Sequence, residues 1–201
     1  MNQEQYKMGW QIACWSTLAI TVCSLLTIVT SVFGIIQAVA LGAVAFGFYT
    51  IDNELVKANS PAAAPMKSAY SLLFIISGLF LLSSILGMTV NIKDVDGGKA
   101  LLIFAGIFEI GCGILFIKFK NFIAEAFKHL GLENTLFGAG IMIYAIALIV
   151  VGFGFFVLGI APSLGTAGLC GITAILGGIA ALIGSILWIV GMFQVTEKAT
   201  K

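Results

Sequence analysis

Long stretches without a single charge decide what this chain can become. Its ten lysines and nine acidic residues leave residues 8–51, 68–92 and 134–196 uncharged, and residues 100–117 carry only Glu109. A helix needs about 20 mostly apolar residues to cross a hydrocarbon core roughly 30 Å thick, because each residue rises about 1.5 Å. Runs of this length predict several membrane crossings. With 60% hydrophobic residues, 9% charged residues and a mean hydropathy of +1.12, the chain has too little polar side-chain surface to cover a water-soluble globule. A transmembrane barrel would show alternating segments of about ten residues with polar lumen positions. The fold class read from the sequence is therefore all-α, a polytopic transmembrane helical bundle forming one integral membrane domain over residues 1–201.

The number of crossings turns on the first run. Residues 8–51 fit either one tilted helix of roughly 65 Å or two crossings that turn near 30–37, with Gly34 and Gln37 as the turn residues. Lysine placement favours six crossings over five, because cytoplasmic loops collect lysine. Six put Lys7, Lys57, Lys67, Lys118, Lys120, Lys128, Lys198 and Lys201 on one side, against Lys93 and Lys99. In both arrangements loop 52–66, segment 118–135 and the C-terminal tail face the cytoplasm or its equivalent. One lysine precedes the first apolar run and no small-residue cleavage pattern follows, so the first helix is expected to stay uncleaved. Residues 69–92 and 100–117 read as one hairpin around KDVDGGK. Residues 136–160 and 171–195 read as a second, broken at Pro162 and Gly165.

Between the hairpins, KFKNFIAEAFKHL places Phe119, Phe122 and Phe127 on one helical face with Lys118, Lys120 and Lys128 opposite. This pattern predicts an interfacial amphipathic helix over about 118–130, ended by Gly131 in a left-handed cap, with Asn134 or Thr135 capping the next crossing. In that crossing Gly138, Ala145, Gly152 and Gly159 recur by sevens, and in the last one Cys170, Gly177, Gly184 and Gly191 do the same. Small residues at this spacing predict a close helix-packing seam, where van der Waals contact replaces the hydrophobic drive that lipid cannot supply.

Chemistry has few places to reside. Glu109 is the one carboxylate at membrane depth, and Ala105, Cys112 and Gly113 at i−4, i+3 and i+4 put it on a small-residue face pointing into protein. A charged side chain at a helix centre costs about 2.5–3.5 kcal/mol on insertion scales, so a partner or a proton is expected. Glu109 is thus a candidate ion site, with Gln37, Asn91, Thr21, Ser24 or Thr27 as second ligands, or else a buried hydrogen bond between helices. His129 is the only histidine, which leaves no bis-His haem, no HExxH zinc site and no Ser/His nucleophile in the crossings. No cysteine pair suits zinc or a disulfide framework, and no phosphate-binding glycine loop is present, so no metal, cofactor or catalysis is expected. A net charge of +1 and the absence of arginine give no footing for nucleic acid. Two functions are compatible with this pattern. The first is a small non-catalytic membrane subunit or scaffold that packs, in the lipid bilayer, against other transmembrane proteins or itself. The alternative is a transporter or channel for a proton, a cation or a small solute that uses Glu109.

Overall fold

The computed structural model describes residues 1–26, 32–89 and 95–201. Among them the protein forms six helices, α1 (Gln3–Leu26), α2 (Val32–Lys57), α3 (Ala63–Thr89), α4 (Val95–Leu130), α5 (Thr135–Ile160) and α6 (Leu164–Thr200). All six contain a span long and apolar enough to cross a bilayer, so the chain is a multi-pass integral membrane protein. Helices are the required local structure, since hydrocarbon offers the backbone no hydrogen-bonding partner.

Several boundaries differ from those read in the sequence. Gly34 and Gln37 are not turn residues; both lie within α2, and the connection near Thr30 lies outside the described residues. The 52–66 loop shrinks to 58–62. Asp52, Glu54 and Lys57 complete α2, and Pro65 sits in the first turn of α3, where its missing N–H costs nothing. Likewise Gly165 is inside α6, which begins right after a Ser163 cap whose hydroxyl accepts from the Thr166 amide at 3.1 Å while the Thr166 hydroxyl accepts from the Ser163 amide at 2.8 Å.

The amphipathic stretch 118–130 is helical but is not a separate element. No proline or glycine interrupts the chain after Gly113, so α4 runs on without a break to Leu130, a length of about 54 Å. Its apolar face is covered by protein. Phe119, Ile123, Ala126 and Phe127 are buried, Phe122 is half-buried, and Lys118 and Lys128 are exposed with Lys120 between the two. Gly131 adopts φ +67°, the left-handed conformation that ends α4. Asn134 then caps α5 by accepting from the Phe137 amide at 3.0 Å, and its side-chain amide donates to Gln194 of α6 at 2.7 Å. Asn134→Ala is expected to cost about 1 kcal/mol in thermal unfolding of the detergent-purified protein. An unchanged melting temperature would show that the cap contributes nothing.

Each helix packs on its neighbours in chain order, and α1 also meets α6, so the six form a closed ring. Small residues bring the backbones together. A Cβ built on Gly47 would lie 2.7 Å from the Ala13 backbone nitrogen, joining α1 to α2, and one on Gly106 would lie 2.6 Å from the Gly152 carbonyl, joining α4 to α5. At the end that holds both chain termini, aromatic rings from five helices fill the middle. Trp10 of α1 packs on Phe48 of α2 and on Phe127 of α4, with centroids 6.2 and 5.7 Å away. Trp188 of α6 packs on Phe116 of α4 and on Phe137 and Tyr144 of α5. Both tryptophans are fully buried.

Candidate functional site

Beyond this aromatic layer, toward the opposite end, the interior changes from rings to polar groups and then to open space. Tyr144 marks the change. Its ring touches Phe116 and Trp188, and its hydroxyl oxygen accepts from the side-chain amide of Gln37 at 2.5 Å. The same Gln37 nitrogen donates to the Ser24 hydroxyl at 2.9 Å, so one side chain ties α2 to α1 and α5. Ser24 in turn donates to the Ile20 carbonyl of its own helix at 2.9 Å, a common way for a hydroxyl to settle in an apolar helix.

Glu109 lies on α4 facing α3 and α5, buried to 8% exposure. The Ser83 hydroxyl of α3 donates to its Oε1 at 2.8 Å. Room for the carboxyl is made on the other side by Gly152, where a built Cβ would come within 2.8 Å of the Glu109 Cβ. Its Oε2 is buried and has no hydrogen-bond partner among the described residues. Ionised carboxylates and carboxylic acids both need partners at this depth, so an oxygen left alone is unusual.

A cavity of about 570 Å³ adjoins these groups. Ser24, Gln37, Glu109 and Tyr144 supply its polar wall, and Phe80, Leu148, Val151 and Phe155 much of its apolar one. The α6 side is thin, made of Ala174, Ile175, Gly177, Gly178, Ile179 and Ala181. This volume is in the range of small-molecule sites, and the combination of an apolar wall with a few convergent polar groups is typical of them.

Of the second ligands considered from the sequence, Gln37 and Ser24 share the cavity with Glu109, whereas Thr21 is turned to the Ser185 carbonyl of α6 at 3.1 Å. Asn91 and Thr27 lie outside the described residues. The direct partner, Ser83, was missed, as was Tyr144. Ser77 and Ser84 share α3 with Ser83 and recur by sevens with Asn91. Yet Ser77 donates to the Ala38 carbonyl and Ser84 to the Phe80 carbonyl. The usable signal was the stripe Ile76, Phe80, Ser83 at helical spacing, all of it buried.

The glycine seam is two seams. Ala145, Gly152 and Gly159 face α4, where Gly113, Gly106 and Ile103 oppose them, while Gly177, Gly184 and Gly191 of α6 meet Val151, Tyr144 and Phe137 of α5. Gly138 joins neither; the nearest atom to a Cβ there is the Lys120 Cε at 3.7 Å. His129 is exposed, and among the described residues no group of His, Cys, Asp and Glu has the arrangement to hold a metal. The chain matches no protein-family model, no curated protein and no solved structure.

Proposed function

We propose that the protein is a membrane carrier that binds a small solute in the cavity around Glu109. The observation that carries this reading is a buried carboxyl with one unpartnered oxygen on the wall of a cavity of molecular size. A carboxyl whose whole task was to tie two helices would be expected to have both oxygens engaged, because an unmet one weakens the structure it holds. Intramembrane carboxyls that remain despite their cost mark proton and ion paths more often than struts. No covalent chemistry belongs to this proposal, and no metal or cofactor is needed for it. The Lys-rich end, with eight of the ten lysines, is assigned to the cytoplasm or its equivalent by the positive-inside bias.

A second reading, the non-catalytic subunit, draws on the first half of α6. Ile172, Ile175, Leu176 and Ile179 there are exposed apolar residues that lipid or another transmembrane helix would cover. It predicts defined partners in the particle extracted gently from the native membrane.

Dicyclohexylcarbodiimide, an apolar reagent that adds to carboxyl groups, tests the carrier. Membranes treated with it are expected to yield one adduct per chain, mapped to Glu109 by peptide mass and absent from Glu109→Gln. A folded protein that takes up no reagent at Glu109 would overturn the reading, since a carrier's site has to be reachable.

A further inference from the structure

We propose that the occupant of the Glu109 cavity is a lipophilic monocation, an organic ammonium or a cation of similar charge spread over an apolar body, which reaches the site from the bilayer alongside α6. This deepens the carrier reading and rests on it.

Charge selects the class first. Among the described residues Glu109 is the one carboxyl on the cavity wall, and no lysine or histidine stands beside it there. An anion would meet an acid in a medium where like charges repel strongly. A neutral apolar molecule would leave the Glu109 Oε2 as it is, buried and unmatched. A monocation satisfies it. With a proton on Glu109 before binding and none afterwards, the site is neutral in both states, so the exchange of one cation for one proton leaves no net charge inside the membrane.

The wall then selects among cations. A bare metal ion gives up a shell of water oxygens and needs several to replace them. Among the described residues the side-chain oxygens on the wall are few and, apart from the Glu109 Oε2, already used, because Ser24 and Tyr144 are both bound to Gln37 and the Glu109 Oε1 is bound to Ser83. Most of the surface is instead Phe80, Leu148, Val151, Phe155, Ile175 and Ile179. An apolar body gains from that surface, and the rings of Phe80, Phe155 and Tyr144 add faces that attract positive charge.

The way in is read from α6. Ile175 and Ile179 line the cavity, yet they are 65% and 53% exposed on the outside of the bundle. The α1–α6 contact is fastened by Trp15 against Phe193 and by Thr21 on Ser185, and Ser24, one turn beyond Thr21, already belongs to the cavity wall. A molecule dissolved in the hydrocarbon therefore approaches the cavity without passing through water.

Binding of radiolabelled tetraphenylphosphonium to the purified full-length protein in lipid nanodiscs tests this, with tetraphenylborate as an anion of matching shape. The cation is expected to bind saturably at one per chain and the anion not at all. Glu109→Gln is expected to weaken the cation by about tenfold or more, the scale for losing a desolvated counter-charge. Gly178→Phe guards against misfolding of that variant. Apart from its own stretch of α6, no atom lies within 4 Å of a Cβ at Gly178, so a ring there fills the cavity while Glu109 stays, and this variant is expected to abolish binding. Equal binding of cation and anion, or cation binding untouched by both variants, would overturn the proposal. If the cation fails to bind while the carbodiimide still labels Glu109, the substrate class is wrong and the carrier stands. If both fail, both fall.

Discussion

Gly184→Val is expected to force α6 away from α5 and lower the stability of the bundle by about 3 kcal/mol or more, the upper end of the cost of overpacking. A Cβ at this position would lie 2.6 Å from the Tyr144 backbone nitrogen and 2.9 Å from the Gly140 carbonyl oxygen. Both atoms belong to helical backbone, which cannot step aside as a flexible side chain does. The collision is mutual, because a Cβ at Gly140 would strike the backbone of Trp188 and come within 2.7 Å of the Gly184 carbonyl. Lipid tails are as apolar as the side chains they would replace, so nothing draws the helices back together once contact is lost. Gly171→Ala is the matched control. It sits on the same helix with nothing within 4 Å of its Cβ, and alanine there is expected to be neutral or stabilising by up to about 1 kcal/mol. Thermal unfolding of the two purified variants decides the matter, and similar melting temperatures would mean that α5 and α6 are not held as closely as described.

Trp188→Ala is expected to cost about 3–5 kcal/mol, as removal of a large buried aromatic does. Trp188 is fully buried and makes ring contacts with Phe116, Phe119, Phe137 and Tyr144, so it is shared by α4, α5 and α6. Its indole nitrogen is buried and has no hydrogen-bond partner among the described residues, so Trp188→Phe loses volume but no bond and is expected to cost less than half as much. The two variants also separate packing from closure. If the aromatic layer seals one end of the cavity, proteoliposomes carrying Trp188→Ala are expected to leak potassium, which lipid alone retains, whereas Trp188→Phe holds it. A tight alanine variant of wild-type stability would remove Trp188 from both roles.

The helical class, the membrane setting and the burial of Glu109 were legible in the sequence, because each depends on the residues of one segment. Uncharged length gives crossings, and Ala105, Cys112 and Gly113 around Glu109 mark the face that turns inward. What needed two segments at once was read less well. The small residues Gly138, Ala145, Gly152 and Gly159 of α5 recur by sevens, but a second small-residue face at 140, 147 and 154 lies beside them, and spacing alone does not say which face meets which helix. The amphipathic stretch 118–130 has the same appearance whether its apolar side rests on lipid or on Trp10, Phe48 and Phe137; the structure supplies the rings. Lysine placement favoured dividing the first run into two crossings, as α1 and α2 do, but the run hid where it divides because it holds neither a charge nor a proline to mark a return to water. The cavity left no trace at all. A void is bounded by ordinary residues, here alanine, valine, leucine and phenylalanine, whose individual environments read as core.

A ring has no last helix. In a row of helices the outermost two are held on one side only, and unfolding begins by peeling them off. Because α1 closes onto α6, every helix here is gripped from two sides, and detaching any one of them strips contacts from a pair of neighbours. Such an arrangement favours all-or-none disassembly over fraying from the termini.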